Sequence, residues 1–352
     1  MIALYALVVV ALALLISLLV LGFYPKDVQE ECVVSRGKNN FLSRNQAFKV
    51  LSYNVQFMAG KDYVFWFDVA EADGPDSRPS PEAIKRTTAN VARIILDEDP
   101  DFIFLQEIDD GAKRTDKQDQ LEALLALLPE DYAYHTSAFY WKSGFVPHPK
   151  VLGSAGMKLS IISKHPISHA IRHQLALTPD NIIAKHLGVK RAILEAFVPL
   201  KEGGQLTLLN THFEAFSKNS DTLEKQVSQV DVVLSKLDEM SIPWVIGGDF
   251  NLLPPKQYNT LKPNQQSYYR PDSEIVTLTD KFSCVPSVED INLDPNRWFS
   301  YNSNDPEAPN ADRTVDYLFY SKSLECCSKA IRQHDTLLIS DHFPVISTFK
   351  AI

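Results

Sequence analysis

From residue 48 onward, short apolar runs alternate with stretches whose apolar residues recur at helical spacing. The runs 48–55, 102–106, 158–163, 191–198, 206–210, 244–247, 314–320 and 344–350 are rich in β-branched and aromatic residues, which predicts buried strands. Between the first two, Ser80 followed by Pro81 reads as a helix cap with proline at the first helical position. Ile84, Val91, Ile94 and Ile95 then form a stripe that carries this helix to about Asp97. A second helix opens near Asp221, with Glu224 three residues on in a capping-box pattern, and presents Leu223, Val227, Val230, Val233, Leu234 and Leu237 on one face. Residues 117–128 make a third. Strands alternating with helices over 48–352, with no linker or repeat between them, predict one α/β domain.

The pattern changes at the start of the chain. Residues 2–24 contain no charged side chain, and as a helix the run reaches roughly 33 Å at 1.5 Å per residue, enough to cross a hydrocarbon core. Ser17 is its polar interruption, and Tyr5 and Tyr24 suit the two interfaces. A cleaved signal peptide would need a positive leader and a small-x-small cleavage site, and neither is present. Residues 1–24 are therefore expected to be a single-pass transmembrane anchor and the polar residues 25–47 a stalk. Lys26, Arg36, Lys38 and Arg44 follow the span and no basic residue precedes it, which places the body on the cytoplasmic side of a membrane.

Composition narrows the classes. Of the 352 residues 45% are hydrophobic, so the body can bury a core and is not disordered. The net charge of -9 argues against holding nucleic acid by bulk electrostatics. The charge is uneven: residues 97–131 hold twelve acidic and three basic residues, whereas 141–200 hold eight Lys or Arg against Asp180 and Glu195. Such a basic stretch suits an anionic surface or a phosphate-bearing substrate, or it is a solvated face. Cys32, Cys284, Cys326 and Cys327 are too few and too scattered for a disulfide scaffold or a zinc site.

Polar residues cluster where the apolar runs end, which is where an α/β sheet presents its ligand crevice. They lie in Leu51-Ser52-Tyr53-Asn54-Val55, in Leu105-Gln106-Glu107, in Leu209-Asn210-Thr211-His212, in Gly247-Gly248-Asp249-Phe250-Asn251, in Val315-Asp316-Tyr317 and in Ser340-Asp341-His342. One such residue is ordinarily a cap. Six sites built from Asn, Glu, Asp and His are held together most economically by a shared cation or a charged substrate, because unpaired buried carboxylates are costly. Oxygen donors without placed cysteines suit Mg²⁺, with Mn²⁺ as the other candidate. A hard cation with two histidines and asparagine donors is what phosphoester cleavage requires. Neither a Gly-x-Ser-x-Gly nucleophile nor a P-loop occurs.

In this order the motifs resemble the endonuclease/exonuclease/phosphatase superfamily of DNase-I-like metal-dependent phosphohydrolases, with Gly-Asp-Phe-Asn and the final Ser-Asp-His the most specific parts. The resemblance implies a four-layer α/β sandwich, two packed mixed sheets flanked by helices. It implies Glu107 as principal metal ligand with Asn54 beside it and Asp341 approaching the metal. Asp249 would orient or deprotonate the attacking water, and Asn251 would donate to the phosphate. His212 and His342 would flank the scissile phosphate, with Asp316 holding His342 in one tautomer. Gln56, two residues past Asn54, departs from nuclease members and argues against a second metal there. Joined to the anchor, the resemblance predicts a membrane-anchored phosphodiesterase or phosphatase acting on a lipid headgroup or another small anionic ester. A DNase-like endonuclease and a non-catalytic binding module on the same fold are the alternatives, and no protein partner is expected.

Overall fold

The computed structural model describes residues 1, 5, 8, 9, 12, 22–37, 40–69, 72–179, 186–215 and 219–351. In chain order its strands are β1 (Val28–Glu31), β2 (Val33–Ser35), β3 (Phe48–Asn54), β4 (Phe102–Asp109), β5 (Tyr134–Val146), β6 (Gly153–Ser163) and β7 (His169–Gln174). These are followed by β8 (Ala192–Pro199), β9 (Gln205–His212), β10 (Trp244–Asp249), β11 (Ser283–Val285), β12 (Asp316–Tyr320), β13 (Leu324–Ile331) and β14 (Val345–Ala351). They form two seven-stranded sheets, β1-β7-β8-β9-β10-β12-β11 and β13-β14-β3-β4-β6-β5-β2. Both sheets are mixed, because β3 pairs parallel with β4 and β9 parallel with β10, while their other neighbours are antiparallel. A parallel pair needs a crossover, and each is supplied by a helix, α1 (Pro81–Glu98) in one sheet and α3 (Thr222–Glu239) in the other, with the short α2 (Gln120–Leu125) beside α1.

Three apolar clusters order the layers. Phe48, Val50, Phe102, Phe104 and Ile161 from one sheet meet Leu194, Leu206, Leu208, Val245 and Leu318 from the other, so the sheets pack face to face. Ile84, Val91, Ile94 and Ile95 of α1 cover Leu51, Tyr53, Ile103 and Leu105 on one outer face. Leu223, Val227, Val230 and Leu234 of α3 cover Leu209, Trp244 and Ile246 on the other.

The predicted helices hold with adjusted ends. Ser80 Oγ accepts from the Ala83 backbone N–H at 3.1 Å, the cap that the Ser-Pro pair announces. Asp221 stands at the start of α3 but makes no cap bond, and pairs with Lys225 at 2.7 Å instead. The third helix is confined to α2, because Asp119 caps it by accepting from the Leu121 and Glu122 N–H groups.

The expected stalk is corrected in part. Within residues 25–47, β1 pairs with β7 and β2 with β5, so the stretch adds an edge strand to each sheet. These strands are too short and too polar to be read from periodicity, and they exist because a neighbouring edge supplies the hydrogen bonds. β5, β7, β11 and β13 likewise lie outside the predicted runs; β13 is mostly exposed and carries little apolar signal. The expected transmembrane anchor, residues 1–24, lies almost entirely outside the described residues, and among those described no helix is long and apolar enough to cross a membrane.

Candidate active site

Side chains two apart on a strand share a face. Phe48 and Val50 of β3, Leu206 and Leu208 of β9, Val245 of β10 and Leu318 of β12 all face the inter-sheet core. Counting by twos along each strand brings Asn54, His212, Asp249 and Asp316 to that same inner face at one end of the seam. Glu107 needs a further device. Phe102 and Phe104 point inward and Ile103 and Leu105 outward, so unbroken alternation would send Glu107 beneath α1. The β4–β6 register shifts between Leu105 and Ile108, Glu107 takes a φ of 59°, and Ile108 joins the outer cluster in its place. The bulge turns the Glu107 carboxylate back to the site, where Oε1 accepts from Asn54 Nδ2 at 3.2 Å.

Two glycines explain why Asp249 follows Gly-Gly. A Cβ on Gly247 would stand 2.6 Å from Leu318 and 2.8 Å from Phe104, where the sheets press together. Gly248 has a φ of 153°, and a Cβ there would meet the Thr211 carbonyl oxygen at 1.9 Å. Beneath the site, Gln106 Nε2 donates to Asn210 Oδ1 at 2.7 Å, and Asn210 Nδ2 donates to the Leu105 and Ser160 carbonyls, both at 2.9 Å. Asn210 is thus a polar tie between the sheets.

Asp249 Oδ2 is the hub. Asn54 Nδ2 lies 3.1 Å from it, His212 Nε2 3.3 Å and His342 Nε2 3.5 Å. His342 Nδ1 donates to Asp316 Oδ2 at 2.8 Å, which leaves its Nε2 facing Asp249. The His342 backbone N–H donates to Ser340 Oγ at 3.2 Å, and Ser340 Oγ donates to the Asn54 carbonyl at 2.8 Å, locking the final motif onto β3. Asn251 N–H donates to Asp249 Oδ1 at 2.9 Å, and its Nδ2 to the Phe213 carbonyl at 3.2 Å. Tyr140 OH lies 3.4 Å from His212 Nδ1.

Burial and neighbouring charge separate the two histidines. Burial, with the charges of Arg191 and His342, holds His212 well below the usual histidine range, so it is neutral. Burial would lower His342 too, but the carboxylates of Asp316, Asp249 and Asp341 hold it well above, so it is an imidazolium. Burial pushes the Asp249 carboxyl up to about 7, and burial with the nearby Asp341 charge raises Glu107.

These residues line a cleft of about 610 Å³. Glu107, His212, Asp249, Asn251, Asp341 and His342 face it directly. Asn54 and Asp316 act from just behind, through Glu107, Asp249 and His342. Every predicted site residue is therefore in or against one cleft. Glu107 and Asp341 offer a hard carboxylate donor set, and the raised Glu107 carboxyl marks negative charge that a cation would relieve. The expected ligand Asn54 instead accepts from the Gln56 backbone N–H through Oδ1 at 3.1 Å and donates to Glu107 through Nδ2, so it positions that carboxylate. Asp249, Asp316 and His342, each with an atom within 4.8 Å of the others, form another buried group, which could hold an ion only with His342 deprotonated.

Other parts of the cleft lie outside the predicted site residues, including Gln56, which the sequence marked only as a departure from nuclease members. Gln56 is 1% exposed, lines the floor, and lacks a partner for both amide atoms among the described residues; its φ of 46° breaks the strand just past Asn54. Arg114 donates to both oxygens of Asp109 and stacks 3.5 Å over the Phe57 ring. Arg191 and Arg313 both reach the wall. Arg313 is held there by Asp312 and Gln265, between the rings of Tyr269 and Tyr301. No spacing rule marks these residues, because they come from loops.

A sequence model described as the Endonuclease/Exonuclease/phosphatase family matches residues 51–342. No curated protein sequence matches the chain. Among solved structures, the chain is similar to an endonuclease/exonuclease/phosphatase from Beutenbergia cavernae, with 20% identity, a TM-score of 0.58, and coverage of 87% of this chain and 72% of that one. The catalytic domain of human Nocturnin with a bound sulfate anion aligns at 16% identity and a TM-score of 0.54, over 92% of this chain and 97% of that one. D. rerio TDP2 complexed with a single-strand DNA product aligns at 14% identity and a TM-score of 0.51, over 87% and 100%. At these identities the likeness is one of fold.

Proposed function

Because the chain belongs to the endonuclease/exonuclease/phosphatase family, whose members hydrolyse phosphoesters, we propose that it is a metal-dependent phosphodiesterase acting by in-line attack of water. The observation that carries the reading is the gathering of Asn54, His212 and His342 on one oxygen of a buried carboxylate, Asp249, beside Glu107. A structural role explains no such convergence of histidines and carboxylates at an open cleft. The sulfate anion bound to the Nocturnin domain supports an anion site on this fold.

Glu107 and Asp341 would hold the cation, Mg²⁺ or Mn²⁺, with Asn54 orienting the Glu107 carboxylate, and when bound the ion would neutralise phosphate charge and polarise the ester. Asp249, with a carboxyl near 7, accepts the proton of the attacking water. His342, kept cationic by Asp316, presents Nε2–H to a non-bridging oxygen as negative charge grows there. His212, neutral, donates through Nε2–H while Nδ1 accepts from Tyr140 OH. Asn251 adds an amide donor at the cleft surface. The uncharged run 2–24 supports reading this chemistry as membrane-anchored, with a lipid headgroup or another small anionic ester as substrate, and the basic residues that follow the run support a cytoplasmic body.

The test is a phosphoester panel covering phospholipids, sphingolipids, inositides, soluble diesters and plasmid DNA, assayed with Mg²⁺, Mn²⁺ and Ca²⁺ beside Glu107→Ala. Metal-stimulated turnover that vanishes in the variant while its circular dichroism is unchanged is the expected result. Equal turnover in both proteins would falsify the metal assignment, and preferential nicking of plasmid would shift the substrate to DNA.

A further inference from the structure

We propose that the cleft opens against a lipid bilayer, and that the tip of the β5–β6 hairpin contacts anionic headgroups beside the place where the apolar run joins the fold. The inference rests on the reading of residues 2–24 as an anchor and adds to it an orientation and a lipid-contacting surface.

The first observation is where the run ends. The Phe23 ring packs edge-on against Phe139 of β5, with centroids 6.4 Å apart, and the Arg172 guanidinium lies 5.8 Å over the same ring. The Tyr24 ring meets His186 at 5.1 Å. Next to His186, the Leu187 carbonyl accepts from Trp141 Nε1 at 2.8 Å, and both Leu187 and Trp141 line the catalytic cleft. The apolar run is therefore rooted at the wall of the cleft. A bilayer holding that run lies close to the cleft mouth, whereas a root on the far sheet edge would have kept the two apart.

The second observation is the hairpin tip on the same wall. Val146, Pro147 and His148 face the cleft, and the flanking Phe145 and Leu152 turn outward, 38% and 51% exposed. Apolar side chains held out on a two-stranded arm, beside a polar rim, are the form of a shallow membrane contact.

The third is charge. Residues 132–179 contain five basic side chains and no Asp or Glu, in a chain whose net charge is -9. Lys158 pairs with Asp110 and Asp119, and Lys164 with Asp99. Lys142, whose ammonium lies 4.2 Å over the Phe139 ring, and Lys150, in the tip between Phe145 and Leu152, are exposed on the hairpin. Basic side chains around exposed apolar residues match a bilayer carrying anionic lipid. A lipid phosphoester then reaches His212 and His342 from the interface, whereas a soluble diester has no need of the tip.

The experiment uses the full chain reconstituted in phosphatidylcholine vesicles containing phosphatidylserine. Leu152→Cys, with Cys32 and Cys327 replaced by Ser, is labelled with bimane, and the acyl chains are brominated. Leu293→Cys, 88% exposed beyond the opposite edge of the β11 sheet, is the control. Expected are resistance of the chain to alkaline carbonate, quenching at residue 152, and none at 293. Phe145→Asp with Leu152→Asp should slow hydrolysis of a vesicle-borne phosphodiester several-fold through KM, and leave hydrolysis of soluble bis(p-nitrophenyl) phosphate unchanged. A carbonate-resistant chain with residue 152 unquenched, or both substrates slowed alike, overturns the orientation and leaves the anchor standing. A chain that washes off in carbonate overturns the anchor and the orientation with it.

Discussion

Asp316 and Gln56 are the two residues whose environments make opposite demands. Among the proposed catalytic groups Asp316 hydrogen-bonds His342, which makes it a positioning residue in that reading, fixing the imidazole and keeping it charged. Asp316→Asn retains the size but removes that charge, and turnover should fall about 10²- to 10⁴-fold, the range for losing proton-transfer or charge support. Steady-state rates at unchanged thermal stability check this. Gln56 is the reverse case. A buried amide without partners costs about 1–3 kcal/mol, so Gln56→Met should raise the melting temperature by several degrees. If the amide serves the substrate, the same variant turns over more slowly, and calorimetry beside kinetics separates the two effects. Asn54, His212, Asp249 and Asp316 were legible from sequence because strand parity and motif both select them. Gln56 was marked there only as a departure from nuclease members; its place on the cleft floor was not legible, because a left-handed backbone is invisible to a period-two pattern.

At the scale of elements, the ends of strands carry the chemistry and their register decides it. Gly248 lets β10 run against the Thr211 carbonyl. Gly248→Ala should destabilise the fold by about 1–3 kcal/mol and displace Asp249, read as a lower denaturation midpoint with a lower rate. On the opposite side, α1 is tied to the segment before β14. Arg93 reaches Asp335 at 3.1 Å, and Arg332 reaches Asp97 and Asp335, both at 2.6 Å. The Arg332 hydrogen bond holds the Asp335 carboxyl well below the usual range. Its stabilisation is therefore present above the ordinary aspartate value, about 3.9, and is lost as pH falls toward the depressed folded value. Asp335→Asn should lower the melting temperature at pH 7, and the gap from the parent should close as the scans are taken to acid. A gap independent of pH would remove the electrostatic explanation. The long helices were readable because their apolar stripes span several turns. β1, β2 and β13 were not, since an edge strand owes its existence to a partner rather than to its own pattern.

Across the whole molecule, Glu107 and Asp341 bring negative charge to the cleft floor, so a bound cation should stabilise the folded state as well as the reaction. Mg²⁺ at a hundred times its dissociation constant adds about 2.7 kcal/mol to a single site. The melting temperature should rise on adding Mg²⁺, return with EDTA, and stay nearly flat in Glu107→Gln. The alternation of strands and helices, the buried faces and the residues that end each strand are local properties, and the chain determines them by itself through period, propensity and turn chemistry. Which strands become neighbours, where the β4 bulge turns Glu107 inward, and which loop side chains wall the cleft depend on contacts between residues as far apart as Asn54 and Ser340. Only the packing of two sheets decides those, because a hydrogen bond or a close approach across the seam has no counterpart in the order of residues along one strand.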